Sequence, residues 1–247
     1  MQMMSSEENQ VAAILWDYDG TLVDSARKNM KVTIEVLRHF DPDIEDHIPP
    51  ALQSYDAYQE ANHRYRNWRE LYTHCYGIPF DKLDEAGRLW APEQERNKSI
   101  PDMFPGLADL LATLKGIPMG ICSQNASENI WHTLSYYGVA DYFRHVVGFE
   151  DVPGNMQKPH SYGFVKCAEA LNPENKAGTY IYIGDHSDDV TFGKNGEAAT
   201  GHKVICITAD YLGLNGELYS SWKTAPNYYV RHTNELKQIL AALLKQG

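Results

Sequence analysis

Six short apolar runs recur along the chain: VAAILWD at 11–17, IPMGICS at 117–123, HVVGFE at 145–150, TYIYIGD at 179–185, KVICIT at 203–208 and YYV at 228–230. Each has the length and composition of a buried strand. Among the later runs lie segments whose apolar residues fall at helical spacing. These are Leu107, Leu110, Leu111 and Leu114; Ile130, Leu134 and Tyr137; Phe164, Val165, Ala168 and Leu171; and Leu236, Ile239, Leu240 and Leu243. Strands that alternate with helices call for an α/β fold, a doubly wound Rossmann-like parallel sheet with helices on both faces.

Residues 26–98 break this alternation. KNMKVTIEVLRHF is followed by a proline-marked turn at Pro49 and Pro50, then by the aromatic and charged SYDAYQEANHRYRNWRELYTHCYG, with no strand-like run. The reading is a mainly helical insertion at 26–98 within a core made of residues 1–25 and 99–247. With 247 residues and 43% apolar content there is enough material for a sizeable core.

Charge narrows the partners. Thirty-three acidic against 22 basic side chains give a net charge of -11, which argues against nucleic acid or an anionic membrane as a general partner. A phosphorylated ligand would need a local cationic site. The leading MQMMSSEENQ has neither a basic stretch nor a long apolar one, and the next apolar run reaches Asp17 after six residues. The expectation is a soluble, cytoplasmic protein with no membrane partner. Cys75, Cys122, Cys167 and Cys206 form no CxxC pair and read as reduced thiols.

Several of the strands end on chemistry. Asp17 and Asp19 stand two apart where the first run stops, so on an extended chain they share a side and converge beyond the strand's carboxyl end. Open α/β sheets bind their ligands there. TYIYIGD also ends in aspartate, Asp185, and Asp189 follows within one turn of a helix starting after Gly184. Two carboxylates about 5 Å apart repel by roughly 3 kcal/mol at an effective dielectric near 20. Protonation of one member would relieve this, and so would a divalent cation; an all-oxygen site favours magnesium over zinc or copper. Ser123 closes IPMGICS with Gln124 and Asn125 after it, offering a hydroxyl and backbone N–H groups to an anionic oxygen. Lys158 precedes Pro159 and supplies a cation. Together these residue types suit phosphoryl transfer.

DYDGT at 17–21, Ser123 after an apolar strand, Lys158 before Pro159, and GDHSDD at 184–189 resemble, in order, the four motifs of the haloacid dehalogenase superfamily. FPGLADLLATLKGIPMGICS, YYGVADYFRHVVGFEDV and PNYYVRHTNEL are similar to its phosphoglycolate phosphatase-like members. The resemblance implies that 26–98 is a helical cap. It implies that Asp17 is the nucleophile forming an aspartyl-phosphate, and that Asp19 is first the acid for the leaving oxygen and then the base for water. Asp17, the Asp19 carbonyl and Asp185 would bind Mg2+, supported by Asp189, while Ser123, Gln124 and Lys158 would bind phosphate. An acid at position 19 points to phosphate esters rather than to dehalogenation. The implied activity is a magnesium-dependent phosphatase acting on a small phosphorylated metabolite, the alternative being a phosphomutase of the beta-phosphoglucomutase type. Two departures stand out: Ser161 where a second proline is common, and Gln124 where many relatives carry asparagine.

In the insertion, Tyr58, Tyr65, Trp68 and Tyr72 suit helix packing, and Arg64 suits an ion pair with Glu60 four residues earlier. Arg66 and Arg69, three apart on an expected helix, are candidates for substrate recognition. None of the ten histidines shows zinc-ligand spacing.

Overall fold

A computed structural model of the chain describes residues 10–65, 68–216 and 218–245. The strands are β1 (Val11–Trp16), β2 (Val23–Asp24), β3 (Asp102–Met103), β4 (Met119–Cys122), β5 (His145–Val147), β6 (Thr179–Gly184), β7 (Val204–Ala209) and β8 (Tyr228–Val230). The helices are α1 (Ala26–Arg38), α2 (Tyr55–Arg64), α3 (Trp68–Tyr76), α4 (Leu83–Arg96), α5 (Leu107–Thr113), α6 (Ser127–Tyr136), α7 (Tyr162–Leu171), α8 (Ser187–Thr200) and α9 (Thr233–Leu244). Each of the six apolar runs contains one strand of a single sheet ordered β5-β4-β1-β6-β7-β8, and its neighbouring strands pair in parallel.

The period of two in β1 explains why both faces are covered. Ile14 and Trp16 point into a core shared with Leu107, Leu110 and Leu111 of α5, Leu134 of α6 and Leu236 and Leu240 of α9. Ala13 and Leu15 point the other way, into a second core with Phe164 and Cys167 of α7 and Val190 and Phe192 of α8. Residues 13–16 are fully buried, so this strand reads as a continuous apolar run instead of an alternating one. The molecule is thus a doubly wound, Rossmann-like α/β fold with an inserted helical domain.

Compactness divides the chain at Asp24 and Asp102: Met1–Val23 with Met103–Gly247 form one unit and Asp24–Asp102 the other. The division falls two residues before and four after the composition boundaries at 26 and 98, because the short strands β2 and β3, which pair with each other, carry the crossings. The second unit has a core of its own, with Val32, Val36 and Leu37 of α1, Tyr58 of α2, Leu71 and Tyr72 of α3, and Leu83 and Ala86 of α4. No helix among the described residues is long and apolar enough to cross a membrane.

The position of β1 decides where chemistry can sit. It is flanked by β4 and β6, which connect in opposite directions across the sheet, so the carboxyl end of β1 opens at the switch point of the strand order. Asp17, Ser123 and Asp185 are the residues that follow β1, β4 and β6.

Candidate active site

Asp17 leaves β1 with its backbone still tied to the sheet, its N–H donating to the Ile183 carbonyl at 2.7 Å. The chain then turns at once. Leu22 and Val23 N–H donate to the Tyr18 carbonyl at 2.9 and 3.2 Å, and Gly20 N–H donates to the Val23 carbonyl at 2.9 Å. Tyr18 is the apolar interruption between the two acids: it is buried, and its hydroxyl donates to Thr133 Oγ1 at 2.8 Å. The turn requires Gly20 at φ 76°, a left-handed conformation that a side chain resists.

Lys158 joins two motifs far apart in sequence. Its Nζ donates to Asp17 Oδ1 at 2.5 Å and to Asp189 Oδ1 at 2.8 Å, and it lies 5.4 and 5.3 Å from the ring centroids of Tyr182 and Phe192. Asp189 is held further by the Tyr182 hydroxyl at 3.1 Å and the His186 N–H at 3.1 Å. The His186 contact is also half of the capping box that starts α8, so the same aspartate serves helix and site.

Burial and like charge set the protonation of these acids. Burial pushes the Asp17 carboxyl up to about 7 against the pull of Lys158, with Asp189 and Asp19 adding to the rise. Burial, then Asp189 and Asp17, hold Asp185 well above the usual carboxylate range. Asp189 goes the other way: burial again acts upward, but the Lys158 charge and its hydrogen bond outweigh it and keep the carboxyl below its ordinary value. Lys158 is lowered by burial and raised more strongly by its two aspartates, so it stays charged.

Carboxylate oxygens of Asp17, Asp185 and Asp189 lie within 4.8 Å of one another. At that spacing each pair repels by about 3 kcal/mol at an effective dielectric near 20. With all three acids ionised, one lysine would compensate one of the charges, and a divalent cation would compensate the other two. Two glycines shape the cradle. A Cβ on Gly20 would lie 2.2 Å from Asp185 Oδ2, and one on Gly184 would lie 2.4 Å from the Asp189 carboxyl carbon. Any larger residue would push those carboxylates aside. An all-oxygen donor set in a tight, net negative cradle fits a hard divalent ion.

Ser123 is buried at the end of β4, and its Oγ accepts the Asn125 N–H at 3.0 Å. The Gln124 side chain reaches the Lys158 carbonyl at 3.5 Å. Asp19 stands apart from the three-acid cluster; Asn125 Nδ2 donates to both of its carboxylate oxygens, at 3.2 and 3.1 Å. Asn129 Nδ2 in turn donates to Asn125 Oδ1 at 3.0 Å. Sequence reasoning offered Asn125 only for its backbone N–H and missed its side-chain contact with Asp19; it missed Tyr182 altogether, which looked like one more apolar residue in TYIYIGD.

Among the insertion residues, Arg69 pairs with Asp84 at 2.7 Å and lies over the Trp68 ring at 4.6 Å. Arg66 lies outside the described residues. The expectation that the two arginines share a helix face therefore falls partly outside the described residues; on either side of them α2 stops at Arg64, Tyr65 is extended at φ -99° and ψ 141°, and α3 runs from Trp68. Tyr58 and Tyr72 are packed into the helical core, and Arg64 pairs with Glu60 across one helical turn.

A switch-point cluster of acids around one lysine, on a doubly wound sheet with a helical insertion, defines an α/β enzyme core. Residues 11–196 match the family model of the haloacid dehalogenase-like hydrolases, and the chain belongs to that family. Among curated proteins it is 25% identical to a phosphoglycolate phosphatase of Synechococcus elongatus over 239 residues, covering 95% of this chain and 99% of that protein. It is 24% identical to the pyrophosphatase PpaX of Bacillus velezensis over 202 residues, covering 78% and 83%. Its fold is similar to the crystal structure of a HAD-superfamily hydrolase, subfamily IA, from Geobacter sulfurreducens, with a TM-score of 0.57, 20% identity and 96% and 100% of the two chains covered. It is similar also to a Clostridium acetobutylicum protein described as a predicted phosphatase, with a TM-score of 0.70, 20% identity and coverage of 94% and 99%.

Proposed function

We propose that this hydrolase is a magnesium-dependent phosphatase that cleaves a small phosphorylated metabolite through an aspartyl-phosphate on Asp17. The observation that carries the reading is the contact of Lys158 Nζ with both Asp17 and Asp189 inside the three-carboxylate cluster. It supplies a cation beside a buried carboxylate while leaving net negative charge for a divalent ion. Asp17, Asp185 and the Asp19 carbonyl would hold Mg2+, with Asp189 in support, and the ion would neutralise phosphoryl charge.

The side chains then divide the work. An Asp17 carboxylate oxygen forms a bond to phosphorus as the bond to the leaving oxygen breaks, and Asp19 gives that oxygen its proton. Asp19, now ionised, takes a proton from water; the water oxygen bonds to phosphorus, the aspartyl bond breaks and phosphate leaves. Asn125 keeps the Asp19 carboxyl aimed through both steps. Ser123 Oγ, the N–H of Gln124 and the Lys158 ammonium hold the other phosphoryl oxygens.

The phosphatase names carried by the Synechococcus and Bacillus relatives favour hydrolysis over the mutase alternative. The insertion is the candidate for substrate selection, and Arg66 and Arg69 are its candidate contacts. The test is a panel of phosphorylated metabolites, 2-phosphoglycolate and pyrophosphate included, scored for free phosphate with and without Mg2+ and with Asp17→Asn as control. Phosphate release that needs both Mg2+ and Asp17 is expected. Isomerised sugar phosphate without free phosphate would replace this reading by the mutase, and equal activity in the Asp17→Asn variant would end it.

A further inference from the structure

The pairing of β6 with β7 runs to Gly184 and Thr208. One residue further, the Asp185 carbonyl accepts a hydrogen bond from Asn215 Nδ2 at 2.7 Å. Asn215 belongs to none of the four motifs and lies beyond residue 196, where the family match stops. It is 2% exposed, so its amide is committed to this contact away from water.

The loop that delivers Asn215 is built around a second buried carboxylate. Asp210, directly after β7, accepts the Leu214 N–H at 2.8 Å on one oxygen, and the Asn215 N–H at 3.2 Å and the Tyr229 hydroxyl on the other. Its own N–H donates to the Val230 carbonyl at 2.9 Å, and its carbonyl accepts the Gly213 N–H at 3.2 Å. Residues 210–215 are thereby closed into a compact loop, clamped to β8 at one end and pointing Asn215 at the end of β6. A chain segment whose buried polar groups are satisfied in this way is rigid.

What this rigidity holds is a tight slot. The Asp185 carboxylate packs so closely on the turn after β1 that a Cβ on Gly20 would lie 2.2 Å from Oδ2. Once ionised, the three carboxylates of the cluster repel one another, which tends to drive Asp185 outward. Rotation of the Asp185 peptide either presses the carboxylate into Gly20 or withdraws it from Asp17 and Asp189. A bond to the carbonyl on one side of the residue resists both movements.

We propose that Asn215 is a positioning residue for the divalent ion: by fixing the Asp185 carbonyl, with Asp210 and Tyr229 fixing Asn215, it holds the Asp185 carboxylate in ligating position. This rests on the reading of Asp185 as a metal ligand. Partners of this kind orient ligands, and their removal costs about 10- to 100-fold in metal affinity.

The test is direct binding of Mn2+, a paramagnetic substitute for Mg2+, to the metal-free full chain, with the free ion measured by electron paramagnetic resonance well below the unfolding transition. Four proteins are compared: wild type, Asp185→Ala, Asn215→Ala and Asn215→Asp, the last keeping the shape and replacing the amide donor by an acceptor. Both Asn215 variants are expected to weaken Mn2+ binding about 10-fold, and turnover in each should recover as Mg2+ is raised. Wild-type Mn2+ affinity in both, with or without a lower melting temperature, would overturn the proposal while Asp185→Ala still loses the ion. If Asp185→Ala binds Mn2+ as wild type does, the metal reading itself falls and this inference with it. Should the Asn215 variants fail to fold, Tyr229→Phe removes one bond to Asp210 and keeps the ring. Weaker Mn2+ binding there supports the proposal, and an unchanged affinity overturns it.

Discussion

Raising the pH of the metal-free protein is expected to destabilise it, and Asp17 allows the size to be worked out. Its carboxyl is pushed from 3.8 to about 7 by burial and by neighbouring acids. The unfolded chain therefore loses this proton near pH 4, whereas the folded chain keeps it until about pH 7. Over that window the folded state binds more protons, so stability falls as pH rises and levels off above the folded value. The whole interval corresponds to about 4 kcal/mol, of which about 2–3 kcal/mol falls between about pH 5 and about pH 8. Asp185, also raised, acts with the same sign. The assay is urea unfolding in chelator at a series of pH values for wild type and Asp17→Asn, the difference between the curves isolating the acid. Wild type should lose about 2–3 kcal/mol relative to the variant across that range. On the proposed magnesium reading, saturating Mg2+ should restore the loss, because the ion would bind the ionised carboxylate of the folded state alone. A flat difference, or one that grows in favour of wild type with rising pH, would refute the argument that burial and repulsion dominate at Asp17.

Gly20→Ala should raise the Mg2+ concentration needed for activity and cost about 1–2 kcal/mol of stability, since an L residue resists φ 76° and the new Cβ meets Asp185 Oδ2; Mg2+ titration and urea unfolding check the two effects. Lys158→Met leaves Asp17 and Asp189 without their shared cation and should cost about 3–5 kcal/mol near pH 8, measured by unfolding in chelator. Asp19→Asn should slow turnover by about 100- to 10,000-fold, and Asn125→Ala less but in the same direction. Single-turnover quench measurements with the best substrate of the panel test both.

How much of this was legible in the sequence differs by residue. Apolar runs with buried-strand composition and helical spacing between them are local signals, and they located all six strands of the main sheet as well as α5, α6, α7 and α9. Asp17, Ser123 and Asp185 were readable because a polar residue closing an apolar run can only emerge at a strand's end. The insertion was readable as helical from the loss of strand-like runs, but the break between α2 and α3 was not. Tyr65 has no proline or glycine beside it to mark an end.

Tertiary structure alone decided which partners these residues meet. Lys158 is 141 positions from Asp17 and 31 from Asp189, and no local pattern encodes that one ammonium would bridge both. Asn125 reaches Asp19 across 106 positions and Asn215 reaches Asp185 across 30. Protonation belongs to the same level: Asp17 and Asp189 are both buried acids touching one lysine, yet one is raised and the other lowered. Asp189 receives two further hydrogen bonds, from Tyr182 and His186, that favour its ionised form. Short-range periodicity is carried by neighbouring residues and survives in the sequence. Electrostatics and hydrogen bonding depend on distances of a few ångströms between segments far apart in the chain, and those distances exist only once the sheet has closed.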